Sequence, residues 1–240
     1  MIKVEKIDVY GFEAAIRGMR NPMNSWGRSD SKLCKRNFGD CFVEPACGCP
    51  KDGVFDEDYF CIGENDLDLM KRLFKSGTEH RKYLRMINVT MDITAPLYWW
   101  KEFDTYKVST VSNSCSTMHK IHAKEFTLDD FSHEHSMEIG VFENIIKTLN
   151  FYRNAFVMSD EELKSYWESN MFEDAPEKKK LWWQMIQLLP SSYNQKRTVQ
   201  FNYETVFNII RQREHHKLDE WVELVKVLKD LPYVKELMND

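Results

Sequence analysis

Residue types that can do chemistry are concentrated in a polar run, Ser109 to Ser116, bracketed by Lys107 on one side and by His119 and Lys120 on the other. Hydroxyl and amide donors beside cationic groups are what recognition of a phosphate or carboxylate requires, because charge-assisted hydrogen bonds are the strong ones. The same composition fits a polar surface loop behind a core helix, since Ser, Thr and Asn side chains compete for backbone hydrogen bonds. Cys115 lies inside the run with His119 four residues on, the types of a nucleophile and its base, although spacing alone does not bring them into contact.

The elements that must position this run precede it. In Ile87–Thr94 the apolar Ile87, Val89, Met91 and Ile93 alternate with Asn88, Thr90, Asp92 and Thr94, the period-two pattern of a half-buried strand. Pro96 suits a first helical position, where a missing N–H costs nothing, and Leu97 to Tyr106 reads as a helix of about three turns. That turn density points Trp99, Trp100 and Phe103 in more than one direction.

Elsewhere Lys3–Val9 alternates as a strand, Phe12–Met19 reads as a short helix, and Asp66–Lys75 as a helix with Leu69, Met70, Leu73 and Phe74 on one face and Gly77 as its left-handed stop. Met137–Phe156 carries apolar residues at helical spacing. Trp182 and Trp183 follow a lysine-rich first turn in a helix whose Leu181, Met185, Leu188 and Leu189 suit burial better than stacking on nucleic acid. Leu218, Trp221, Val222, Val225 and Leu228 form a last packing stripe, with His215 and His216 in the turn before it.

Between these elements, Arg20–Gly53 is rich in Asn, Ser, Gly, Pro and Cys and reads as a long irregular segment, so the expectation is a single domain over 1–240 with a Cys-containing insertion at about 20–63. Arg17, Arg20, Asn21, Asn24 and Ser25 at its start suit an anion site or a solvated loop. Five of the six cysteines cluster there, but the tightest pair is Cys47-Gly-Cys49, not the paired knuckles of a zinc site, and reduced thiols without a metal are expected. In FTLDDFSHEH, Asp129, Asp130, His133, Glu134 and His135 lack a ligand spacing and read as a solvated helix entrance.

With 240 residues, 42% of them hydrophobic, the chain can bury a large core without staples. Its formal net charge of −5 argues against a general nucleic-acid binder, which makes a nucleotide the better anionic ligand. No apolar run approaches the ~18 residues of a membrane span, and the start of the sequence lacks a secretory pattern, so a cytoplasmic location is expected.

The order of strand, Ala-Pro, aromatic helix and serine loop resembles the flavin-dependent thymidylate synthases, in which an Arg-His-Arg triplet stands between helix and loop. LDLMKRLFKSGTEH at 67–80 is similar to that family's helix ending in Gly and a flavin-contacting His, which falls on His80. LLPSSYNQKRTVQFNYETVFNIIRQR at 188–213 is similar to its Leu-Pro turn, strand and Asn-bearing helix that ends in a nucleotide-binding Arg. The weak similarity covers about two-thirds of the chain.

The resemblance implies an α+β subunit, an antiparallel sheet with flanking long helices, assembled as a homotetramer. It implies FAD held by His80, Tyr106, Lys107, Asn202 and Asn208, and a dUMP-like pyrimidine nucleotide held by Glu102, Ser114, Ser116, Lys120 and Arg213. NADPH as reductant and methylenetetrahydrofolate as one-carbon donor complete the implied C5 methylation, in which the flavin carries the hydride and no nucleophilic side chain is required. Several positions depart from the family. Thr105, Tyr106 and Lys107 stand for Arg-His-Arg, and Lys is a point charge that does not repeat a bidentate fork. Glu102 replaces a Gln, Ile186 falls near an Arg, Glu204 replaces an Arg, and Met118-His119 replaces Arg-Tyr. These losses make a nucleotide-binding protein without catalysis the alternative expectation.

Overall fold

The structure is a computed structural model that describes residues 2–34, 59–171 and 174–239. Along the chain run β1 (Lys3–Tyr10), α1 (Phe12–Arg20), β2 (Lys32–Cys34), β3 (Tyr59–Cys61), α2 (Glu64–Lys75), β4 (Asn88–Pro96), α3 (Leu97–Phe103), β5 (Val111–Ser114) and α4 (Thr117–Lys120). Then come α5 (Ile139–Val157), α6 (Asp160–Met171), α7 (Lys178–Leu188), β6 (Asn194–Asn202), α8 (Tyr203–Arg213), α9 (Asp219–Lys229) and α10 (Val234–Met238). The class is α+β. One sheet has the strand order β1-β4-β6-β5, and β2 and β3 form a separate antiparallel ribbon with Lys32 opposite Cys61. β4 and β6 run antiparallel, since the Tyr203 N–H donates to the Ile87 carbonyl at 2.9 Å and the Leu97 N–H to that of Tyr193 at 3.0 Å.

β4 follows its sequence period: Val89, Met91, Ile93 and Ala95 are buried, and the polar residues between them are half-exposed. Pro96 then caps α3. This helix is shorter than its sequence suggests, ending at Phe103 instead of Tyr106. The Thr105 N–H and hydroxyl both turn back to the Glu102 carbonyl, at 3.1 and 2.7 Å, which closes the helix one turn early. Trp99, Trp100 and Phe103 are all buried and pack on one another with ring centres 4.8–5.3 Å apart. The serine run also differs from the expected loop, because Val111–Ser114 is the edge strand β5.

The described chain divides into two compact units. The first holds Met1–Lys3, Ile93–Thr105 and Asn113–Thr198. Its α5 and α7 pack around Ile121, Phe126, Phe131, Leu149 and Met185. FTLDDFSHEH is a single 3-10 turn at Leu128–Asp130, not a helix entrance, because Phe126 and Phe131 on either side are pulled into this core. Asn150 fixes Phe126 twice, accepting from its N–H at 2.8 Å and donating to its carbonyl at 2.9 Å. Among the acidic and His residues of that segment, Asp130 pairs with Lys124, and the His133 ring meets the Phe131 carbonyl.

The second unit holds Val4–Asp92, Tyr106–Ser112 and Val199–Asp240. Its core joins Ala15 and Ile16 of α1 to Met70, Leu84, Val206, Ile210, Trp221 and Leu228. Phe12 lies edge-on to Tyr203 and Tyr233, whose hydroxyls bond the Pro232 carbonyl and the Ile62 N–H. Gly11 precedes α1 at φ +98°, where a Cβ would sit 2.1 Å from the Met86 carbonyl oxygen. Gly11→Ala is therefore expected to cost about 2–3 kcal/mol from positive φ and the forced backbone shift. A chemical denaturation midpoint measures it.

The start of the insertion is anchored, not open. Arg20 does not serve an anion site, because its Nε donates to Asp66 at 2.5 Å and both side chains are buried. Asn21 accepts from the Trp26 indole at 2.8 Å, the Ser25 carbonyl receives Arg20 Nη1 at 3.3 Å, and Arg17 lies exposed 3.8 Å from Glu13. The expectations for Cys41, Cys47 and Cys49 lie outside the described residues, as does the side chain of Cys34. Cys61 is buried and Cys115 exposed, and neither is in a disulfide.

Candidate functional site

The ten candidate residues divide between the units. His80, Tyr106, Lys107, Asn202, Asn208 and Arg213 belong to the second, and Glu102, Ser114, Ser116 and Lys120 to the first.

In the second unit, the chain turns from β6 into α8 at Asn202, an N-cap whose side-chain oxygen accepts from the Thr205 N–H at 3.0 Å and hydroxyl at 3.2 Å. Asn202 is 3% exposed. Its oxygen is committed to the cap, so its amide NH2 is the group it can offer a ligand. Asn208 is half-buried, two turns on, and accepts from Arg211 at 3.2 Å. At the end of α8 the Arg213 guanidinium lies 4.6 Å from the Trp221 ring centre and 5.7 Å from that of Tyr106. Its Nε donates to the Tyr106 hydroxyl at 2.9 Å, and that hydroxyl donates to Gln212 at 2.9 Å. A guanidinium over the Trp221 ring and hydrogen-bonded to the Tyr106 hydroxyl is held in place for planar or anionic groups. The structure thus brings Tyr106 and Arg213 together, whereas Lys107 is exposed and His80 projects from the turn after α2, its N–H bonded to the Gly77 carbonyl.

Glu204 has a partner that sequence reading missed. Arg81 Nη2 meets Glu204 Oε1 at 3.0 Å, each side chain is 14% exposed, and the guanidinium lies 5.2 Å from the Phe74 ring centre. Arg81 Nε and Glu204 Oε2 are buried without a hydrogen-bond partner among the described residues. The pair is neutral as a unit. Nearby, Tyr83 donates to the Met70 carbonyl at 2.8 Å, and burial pushes its phenol far above its ordinary range, so it stays protonated.

In the first unit, Ser114 closes exposed β5 and Ser116 caps α4, its hydroxyl oxygen accepting from the His119 N–H at 3.0 Å. Lys120 is exposed at the end of α4, which the Trp182 indole holds through the Met118 carbonyl at 3.0 Å. Between the serines, the Cys115 N–H donates to the Lys196 carbonyl at 2.9 Å and its carbonyl accepts from Gln195 Nε2 at 2.8 Å. Glu102 is half-buried in the last turn of α3. The serine turn therefore rests on β6 at residues 195–196.

The next strand residue facing that way, Arg197, was not anticipated. Its guanidinium stands 4.2 Å from the Trp100 ring centre, with Nε on Gln195 Oε1 at 2.9 Å and Nη1 on Asp104 at 2.8 Å. The only sequence signal was a Lys-Arg pair inside an otherwise alternating strand.

No protein-family model matches this chain, and no curated protein matches it. Many solved structures are similar in fold, including two that contain FAD and dUMP. One is thymidylate synthase X (ThyX) from Helicobacter pylori with FAD and dUMP, at a TM-score of 0.63 and 14% identity over 100% of both chains. Another structure of the Helicobacter pylori flavin-dependent enzyme, also complexed with FAD and dUMP, gives the same score and identity over 99% of this chain and 98% of that one. The likeness shows the fold. Among the described residues no helix is long and apolar enough to cross a membrane.

Proposed function

We propose that this protein is a divergent flavin-dependent thymidylate synthase-like enzyme that binds FAD and modifies C5 of a dUMP-like pyrimidine deoxynucleotide. The observation that carries this reading is full-length agreement in fold with a ThyX structure that contains FAD and dUMP. The donor set supports it. In one unit Arg213 is aligned by Tyr106 and Trp221 and Lys107 is an exposed cation; in the other Lys120 is exposed and Ser114 and Ser116 present hydroxyls; each set is of a type that suits phosphate oxygens.

In this reading His80, Tyr106, Lys107, Asn202 and Asn208 would hold FAD, which would supply hydride chemistry with NADPH as reductant, while methylenetetrahydrofolate would supply the one-carbon unit. The chain's own work is to bind and orient. Arg213 presents a flat cation to the nucleotide, the Asn202 amide group offers a donor at the start of α8, and the serine turn offers hydroxyls. Glu102, where the family has Gln, accepts hydrogen bonds but donates none when ionised, which favours a substrate edge with an N–H donor.

The Arg81–Glu204 pair favours a second reading, a nucleotide-binding protein of this fold without turnover, because it leaves no net charge at a position where the resemblance expects an Arg. One experiment separates the two. The enzyme reading expects a yellow protein as purified, a homotetramer with retained FAD by native mass spectrometry, and a C5-modified nucleotide when NADPH and methylenetetrahydrofolate are added. A colourless protein whose Tm rises with dUMP supports the binding protein. Absence of both flavin and nucleotide binding defeats both readings.

A further inference from the structure

The resemblance expects Arg-His-Arg between the aromatic helix and the serine loop, and Thr105 stands at its first position, so that guanidinium is missing from the chain just before the serine turn. We propose that Arg197, from the neighbouring strand β6, supplies it and is the residue that recognises the nucleotide's phosphomonoester. This inference rests on the function proposed above and assigns a role to a residue outside the resemblance.

The geometry argues for recognition as well as packing. Trp100 fixes the plane of the guanidinium from one face, and Gln195 and Asp104 fix its rotation through Nε and Nη1. These bonds leave the two N–H groups of Nη2 for another acceptor. Because the plane is already set, little side-chain entropy is lost when an anion docks, and a fork of this kind matches two phosphate oxygens where a Lys offers one point contact.

The location matches the serine turn. Gln195 uses one side-chain amide for both tasks: its oxygen accepts from Arg197, and its nitrogen holds the Cys115 carbonyl. The residues that aim the cation therefore also aim the backbone between Ser114 and Ser116. Asp104 directly precedes Thr105, so the guanidinium it holds stands next to the vacated position of the triplet.

Electrostatics leave room for an anion. The Arg197 side chain is 15% exposed, but that of Asp104 is 53% exposed. Water screens a half-exposed carboxylate, so its hold on the cation is weak. A dianionic phosphate at the less screened side competes well.

The test uses the full chain with FAD present and measures, by calorimetric titration, binding of dUMP and of deoxyuridine, which lacks the phosphate. Arg197→Gln is expected to weaken dUMP by about 10- to 100-fold and to leave deoxyuridine within about twofold. Arg197→Lys should fall between, as a retained charge without the fork. Asp104→Asn removes the competing carboxylate and should leave dUMP affinity equal or higher. A purely structural Arg197 gives the opposite pattern: both ligands weaken together, and Asp104→Asn weakens dUMP as well. Either that pattern or unchanged dUMP affinity in Arg197→Gln overturns the proposal while the proposed function stands. If Arg197→Gln does not fold, the Lys and Asn variants decide on the same criteria. Wild-type protein that binds neither FAD nor dUMP overturns the functional reading, and this inference with it.

Discussion

Asp66→Ala is expected to destabilise the protein by about 3–5 kcal/mol, because it leaves the Arg20 guanidinium buried without its countercharge. Asp66 is wholly buried and accepts from Arg20 Nε at 2.5 Å, the Ser29 and Ser31 hydroxyls at 2.7 and 2.6 Å, and the backbone N–H groups of Ser31 and Asp30 at 3.0 and 3.2 Å. One carboxylate thus ties α1 and the start of the insertion to α2. Its loss strands a cation and several donors together, and an unpaired buried charge costs far more than the pair gained.

The same group sets an acid limb. Burial alone would raise the Asp66 pKa, but the Ser31, Ser29 and Arg20 side chains and the Ser31 N–H outweigh it and hold the carboxyl below its ordinary 3.8. A depressed folded pKa means that the stabilisation is complete above the unfolded value and fades as pH falls through the folded one. The difference in denaturation free energy between wild type and Asp66→Ala should therefore be constant above about pH 5 and shrink below about pH 4. A difference under about 1 kcal/mol at neutral pH would remove Asp66 from this role.

Glu204→Arg, which introduces the residue that the resemblance expects there, should be the second most damaging change, costing about 3 kcal/mol or more. Arg81 and Glu204 are each 14% exposed and meet through one 3.0 Å contact, so the new guanidinium would face a like charge in a poorly solvated site. Because Arg81 Nε and Glu204 Oε2 have no hydrogen-bond partner among the described residues, the native pair gains less than a bidentate one, yet breaking it still leaves a nearly buried charge. The double variant Arg81→Glu/Glu204→Arg should recover more than half of the loss in a denaturation double-mutant cycle. Equal stability of the single variant and wild type would show that the pair does not constrain this position. The practical consequence is that a cation cannot be introduced here by one substitution.

These two pairs show what was hard to see in the sequence. Arg20 and Asp66 lie 46 residues apart, Arg81 and Glu204 123, and nothing in composition or periodicity selects one acidic residue as the partner of a given arginine. Arg20 consequently read as an anion ligand, and Arg81 did not register at all. Arg197 was invisible for the same reason: its role depends on Trp100 and Asp104, more than 90 residues away in the chain and brought alongside by strand pairing. α6 was also missed, because its buried face is little more than Leu163.

The features legible from sequence were local ones. Alternation from Ile87 to Thr94 specified β4 because side chains on a pleated strand alternate faces, and Pro96 marked the start of α3, although it is the extended N-cap residue that ends β4 and not the first helical residue. The apolar stripe around Trp221 specified α9. A resemblance in the order of short motifs extended this to the α+β fold. That part of the serine run became a strand, and which cations are already paired, were decided only by tertiary structure. Backbone groups and charges bond to whatever packing brings near, and that depends on neighbours far along the chain.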